Sequence, residues 1–258
     1  MRGIAAAAAL ATALLAAAGC ASGGARARTV MDATWGWGWD LTSATGPYAK
    51  LSPAEREREL DYYRSRVRAT DDRGAPVPLV DQVAFLPAAP ANRPAEKLPG
   101  TAFVDASGRP VRLEDWKGKA TVVLVFTRGF PGYICPLCSS YTAQLAFKYA
   151  ELKAAGAEVL VVFPGAADKV DEFVKASREI LEQEGPGALP FPVLLDTDLA
   201  HVDEFGIRGD LAKPSTYVID RAGATRYAFV GEQPHERPDV ATILSEVRRA
   251  EGAAGAAK

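Results

Sequence analysis

Six residues in a row, Thr121-Val122-Val123-Leu124-Val125-Phe126, are β-branched or apolar with no polar alternation. A run of that kind reads as a strand buried on both faces, which requires a sheet with cover on either side. The rest of the chain must supply that cover. Glu158 to Phe163 and Pro192 to Leu195 read as further apolar strands. Between the first two, Tyr141, Leu145, Tyr149 and Leu152 recur on one helical face up to a stop at Gly156. Asp168 reads as the N-cap of a helix carrying Val170, Phe173, Val174, Ser177, Ile180 and Leu181, ended by Gly185-Pro186-Gly187. A short helix from Asp198 to Phe205 precedes a hairpin, Thr216 to Ile219 with Thr225 to Val230 across Ala222-Gly223, and a last helix runs from Pro238 to Arg249. An earlier hairpin joins Phe103-Val104 to Val111-Arg112-Leu113 through Ser107-Gly108. This order predicts an α/β domain over residues 98–251, a mixed central sheet with helices on both faces, and a disordered tail at 252–258.

The first residues are of another kind. Met1 and Arg2 open a run of Ala and Leu from Ile4 to Ala18, too short to span a bilayer but suited to a signal-peptide core. The run ends in Ala17-Ala18-Gly19-Cys20, which resembles a bacterial lipobox with Ala17 where Leu is usual. That resemblance implies a signal peptide at 1–19, lipidation at Cys20 and an extracytoplasmic protein anchored to the membrane. Cleavage after Ala16 to Ala18, with plain secretion, is the alternative. The chain has three cysteines, so lipidation of Cys20 leaves an even pair, Cys135 and Cys138, as an oxidising compartment favours. A net charge of −2 gives no basic field for nucleic acid.

Residues 20–30 are small and polar and read as a tether. Trp35-Gly36-Trp37-Gly38-Trp39 reads as an aromatic strip that packs back on the domain. Ser52-Pro53-Ala54-Glu55 is a capping box with proline at the first helical position, and Leu60, Tyr63 and Val67 form one face of a helix to about Arg68. Prolines then break the pattern from Asp71 to Pro99, which predicts an extended linker. Residues 31–97 thus read as an N-terminal extension with one helix.

Cys135-Pro136-Leu137-Cys138 follows the first buried strand and opens the next helix. Pro136 suits the first helical position, which makes Cys135 the N-cap, exposed and acidified by the unpaired N–H groups there. Cys138, one turn in, would resolve a mixed disulfide on Cys135, and Arg128 in the preceding loop adds positive charge. The pair could also be an inert disulfide. A structural zinc site would need more ligands than His201 and His235, each of which reads as a packing or surface histidine.

These stretches carry a family resemblance. Phe103-Val104-Asp105 with residues 113–119, then residues 122–129, the cysteine motif, and residues 214–223 resemble the alkyl hydroperoxide reductase/thiol-specific antioxidant (AhpC/TSA) group of peroxiredoxin-like proteins. The resemblance implies a thioredoxin-like fold and a thiol-dependent oxidoreductase that needs no cofactor. Peroxiredoxins carry Pro-x-x-x-Thr/Ser-x-x-Cys; Pro131 and Cys138 match that frame, while Cys135 stands at the Thr/Ser position and Pro214 where the family has its peroxide-polarising arginine. Thioredoxin-like reductases instead pair a first cysteine with a cis-proline, which implies a cis Lys213-Pro214 bond packed on Cys135, with Thr216 in support.

Two mechanisms follow. In thiol–disulfide exchange, the preferred reading, Cys135 attacks a protein disulfide and Cys138 resolves it. In a thiol peroxidase, Cys138 attacks peroxide and Cys135 resolves the sulfenic acid. Either requires a thiol reductant whose identity the sequence leaves open. Sco-type copper chaperones, which share the fold but space their cysteines by three residues, are a third and less favoured reading.

Overall fold

The computed structural model describes residues 27–34, 51–94, 98, 102–129, 134–165, 167–181, 188–209 and 211–256. The readings at residues 1–19, Cys20, the Trp35 to Trp39 strip, Pro131, Gly185 to Gly187 and the last two residues lie outside them.

Seven strands form one sheet in the order β2-β1-β5-β4-β3-β6-β7. They are β1 (Ala102–Asp105), β2 (Pro110–Arg112), β3 (Thr121–Phe126), β4 (Ala157–Pro164), β5 (Val193–Asp196), β6 (Ser215–Ile219) and β7 (Thr225–Val230). β3, β4 and β5 run parallel, and the remaining neighbours pair antiparallel, so the sheet is mixed as expected. All residues of β3 are buried, because alternate side chains enter different cores. Val123 and Val125 face one core with helices α3 (Pro136–Phe147), α5 (Val170–Leu181) and α7 (Val240–Ala256), through Leu145, Phe173, Ile243 and Val247. Val122, Leu124 and Phe126 face the other, with Val202 and Phe205 from helix α6 (Ala200–Glu204) and its C-cap. Each fully buried side chain of this kind contributes about 1.5–3 kcal/mol relative to exposure.

The helix predicted after the cysteines is two, α3 and then α4 (Tyr149–Ala154), with a break at Lys148. Gly156 ends the pair at φ +92, a conformation that favours glycine.

The N-terminal extension differs most from its expectation. Helices α1 (Val30–Thr34) and α2 (Pro53–Arg64) and the Pro-rich stretch after them share the larger core. The Ser52–Glu55 capping box forms in both directions, but α2 stops at Arg64 instead of Arg68. Val30, Leu79, Val80, Val83 and Phe85 are buried with α3 and α5, so residues 71–94 are not a free linker. Proline removes helical period without preventing burial, provided the remaining backbone groups are paired. Buried Gln82 does much of that pairing: its Oε1 accepts from Val30 N at 3.0 Å, and its Nε2 donates to Arg28 O and Val77 O at 2.8 and 3.0 Å. Gln144 of α3 likewise donates to Val80 O and Val83 O, both at 2.8 Å.

Asp105 closes the first hairpin, its Oδ1 accepting from Ser107 N and Arg109 N at 2.8 and 3.0 Å. Burial works to raise its pKa, but bonds from Ser107 and Arg109 outweigh this and hold the carboxyl at about 2, below its ordinary 3.8. A depressed acid stabilises the fold fully above its unfolded value and loses that contribution as pH falls through the folded value. Asp105→Asn is therefore expected to flatten the fall in stability between pH 3.8 and about 2, measured by denaturant melts across that range. An unchanged acid slope would refute the role given to Asp105.

Candidate active site

β3 hands the chain to a loop tied to its neighbours. Thr127 N and Oγ1 both donate to Val162 O, at 3.0 and 3.1 Å. Arg128 O accepts from Ala212 N at 3.2 Å. Gly129 follows at φ +96, where an added Cβ would lie 2.1 Å from Pro164 O, so a side chain there would displace the loop. Cys135 is the N-cap of α3, Pro136 its first residue, and Cys138 lies in the first turn.

Both cysteines are free thiols, and both are 1% exposed. The expectation of an exposed Cys135 is thus incorrect, because the extension helps form the core that encloses the pair. The order of acidity is also reversed. Cys135 is pushed well up by burial, by its hydrogen bond to Cys138 and by the negative charge that Cys138 carries. Burial alone would raise Cys138 as well, but the bond from Cys135, the charge of Arg237 and the backbone of Arg128 overcome it and hold that thiol well down. These contacts favour the anion on Cys138, with Cys135 as the thiol beside it.

Arg237, on the loop between β7 and α7, is the partner that sequence reasoning missed. It is fully buried, and its Nη2 donates to Cys138 Sγ at 3.1 Å. Its Nε donates to Pro234 O at 2.9 Å, and its guanidinium lies 5.2 Å from the centre of the Tyr141 ring. Tyr141 is fixed in turn by a 2.8 Å bond from its hydroxyl to Pro238 O. Arg237 Nη1 is buried with no hydrogen-bond partner among the described residues. The pair is separated by 99 residues, beyond any local periodicity. The only local signal was Arg237-Pro238, which holds the arginine extended just before a helix.

The other expected residues are placed as follows. The guanidinium of Arg128 donates to Tyr63 Oη at 3.3 Å, while its charge still favours a Cys135 thiolate. Pro214 is buried at the start of β6, but no cis peptide bond occurs among the described residues, which corrects the cis Lys213-Pro214 expectation. Here the chain is held extended on both sides, with Lys213 N donating to Ile207 O and Gly231 N to Pro214 O, both at 2.8 Å. Thr216 pairs with Val125 in the sheet, and its hydroxyl meets Tyr141 Oη at 3.4 Å, one step removed from the sulfurs. His201 packs on Phe103, its ring centre 4.3 Å away, as a packing histidine would. His235 bonds Tyr62 Oη through Nδ1 at 2.8 Å, two positions before Arg237.

This arrangement can stabilise a sulfur anion, offer it a thiol within one helical turn, and present an unused N–H to an incoming oxygen atom. Peroxiredoxin Q of Sedum lineare is 28% identical over 146 residues, 55% of this chain and 71% of that protein. Peroxiredoxin Q of Triticum aestivum is 30% identical over 135 residues, and the chain spans little more than half of that relative, 56%. The mitochondrial 2-Cys peroxiredoxin of Plasmodium falciparum superposes with a TM-score of 0.53 over 64% of this chain and 97% of that one, at 15% identity, a likeness of fold alone. That fold is thioredoxin-like, as the family resemblance had implied. The family description "AhpC/TSA family" matches residues 94–228, from the end of the extension through most of β7, and with just over half its length so matched this chain belongs to that family of thiol-dependent oxidoreductases.

Proposed function

We propose that the protein is a thiol peroxidase in which Cys138 is the peroxidatic sulfur and Cys135 the resolving one. The contact of Arg237 Nη2 with Cys138 Sγ at 3.1 Å carries this reading, because it puts the stabilised anion on the second cysteine of the motif. Thiol–disulfide exchange with Cys135 attacking would need the reverse order of acidity. The peroxiredoxin relatives lend further support.

In the first step Cys138 thiolate attacks one peroxide oxygen. The S–O bond forms, the O–O bond breaks, and the departing oxygen takes up a proton to leave as water or an alcohol. Cys138 is then a sulfenic acid, oxidised by two electrons. Arg237 Nη1, which has no hydrogen-bond partner among the described residues, donates to the peroxide as negative charge grows on the departing oxygen. This is the task for which the family arginine is absent at Pro214. In the second step Cys135 attacks the sulfenic sulfur, water departs, and a Cys135–Cys138 disulfide remains for an external thiol to reduce. Cys135 thus stands in the Thr/Ser place of the family motif both as hydrogen-bond donor and as resolving group.

The apolar run from Ile4 to Ala18 and the lipobox-like Ala17-Ala18-Gly19-Cys20 support, as part of the same reading, an extracytoplasmic enzyme tethered to the membrane through lipidated Cys20. The test of the catalytic reading is stoichiometric. Reduced protein mixed with hydrogen peroxide is expected to consume one equivalent and finish as the intramolecular disulfide, read by mass. Peroxide left untouched while a protein disulfide is reduced would overturn it in favour of exchange.

A further inference from the structure

Helix α2 lies before the region matched to the family, which begins at residue 94, yet it is bonded to both loops that hold the thiolate. Tyr63 is fully buried and accepts from Arg128, whose backbone faces Cys138. Tyr62, its ring edge-on to Tyr63 at 5.1 Å, is hydrogen-bonded through its hydroxyl to His235 Nδ1 at 2.8 Å, in the loop of Arg237. Burial lowers the His235 pKa and raises that of Tyr62 to about 12, so phenol and imidazole meet as neutral partners. Behind α2 the extension continues to the same loop: Leu86 N donates to Arg237 O at 2.8 Å, and Asp239 N to Leu86 O at 2.9 Å. Between α2 and the two loops lies a cleft of about 350 Å³, lined by Leu51, Glu55, Glu59, Tyr62, Arg128 and Pro234 among others. That volume is at the lower limit of ordinary small-molecule sites, and far below what a protein surface occupies.

We propose that α2, pinned by Tyr62 and Tyr63, is the specificity element of this site: it admits small hydroperoxides through the cleft beside Arg128 and holds protein-sized thiols and disulfides away from Cys135 and Cys138. The half concerning hydroperoxides rests on the peroxidase reading; the size filter does not. A protein reductant reaches the disulfide only when both hydroxyl contacts release α2. Deleting one hydroxyl removes at least one hydrogen bond of ordinary strength, which raises the released fraction by about fivefold to tenfold.

The experiment compares labelling of the reduced full chain by N-ethylmaleimide and by a maleimide carried on a large polyethylene glycol, read by mass at Cys135 and Cys138. Expected for the unaltered protein is labelling by the small reagent that far outpaces the large one. Tyr62→Phe and Tyr63→Phe each delete one hydroxyl and keep the ring, so the fold is retained. Each is expected to speed the large reagent about fivefold to tenfold and the small one by less than about twofold. Equal rates for the two reagents in the unaltered protein, or large-reagent rates unmoved in both variants, would overturn the filter. Peroxide consumption measured on the same samples separates the two proposals. Absent turnover with the size difference intact defeats only the peroxidase reading, and intact turnover without the size difference defeats only the filter.

Discussion

Replacing Arg237 with Met is expected to lower the rate of Cys138 with peroxide about 10²- to 10³-fold at neutral pH, and to shift its pH profile toward alkali. Two losses combine. A buried cation in contact with a thiolate depresses its pKa by about one to three units, and an oriented donor to the departing oxygen is worth about a hundredfold. The sign follows from Cys138 being an acid held below the ordinary range of about 8.5. In the unaltered protein the reactive anion persists until pH falls through that depressed value. Without Arg237 it is lost at a higher pH, so alkali restores the anion but not the missing donor. Met has a similar length and leaves little void, and a thermal melt checks that the fold survives. Arg237→Lys should recover part of the acidity, since it restores charge without the two-pronged geometry. Ultraviolet thiolate absorbance and stopped-flow rates across pH measure both effects. A profile unmoved by Arg237→Met would remove Arg237 from the chemistry.

The second large effect distinguishes the two sulfurs. Cys138→Ser should abolish peroxide consumption, because no thiolate of comparable acidity remains. Cys135→Ser should consume one equivalent of peroxide and stop at a sulfenic acid that a dimedone-type nucleophile captures, with repeated turnover lost. Its serine hydroxyl still donates to the anion, so the first step should fall by less than about tenfold. The opposite pattern, in which Cys138→Ser traps mixed disulfides with protein partners and Cys135→Ser does not, would restore exchange as the function.

Much of the fold could be read from local pattern. The Thr121–Phe126 run, the two hairpins and the Ser52–Glu55 cap are decided by neighbours within a few residues, and the structure has each of them. The placement of Cys135 at the start of α3 was legible for the same reason. What could not be read is the chemistry that depends on contact between distant segments. Helix-terminus reasoning gave the low pKa to Cys135, since it considered the peptide dipoles beneath that sulfur and the nearby charge of Arg128. The decisive groups are a guanidinium 99 residues away and the burial to which a proline-broken extension contributes. Pro214 was misread by analogy, when the strand bonds around it keep the backbone in its ordinary form.

Cys135 occupying the first motif position has a further consequence for oxidative damage. A sulfenic acid is lost irreversibly when another peroxide molecule reaches it before a thiol does. Here the rescuing group sits on the same helical turn, and well-placed neighbours react as though present at about 10⁵ M or more, far above any oxidant in a cell. Such an enzyme should endure surges of its own substrate that would inactivate one whose second cysteine had to travel.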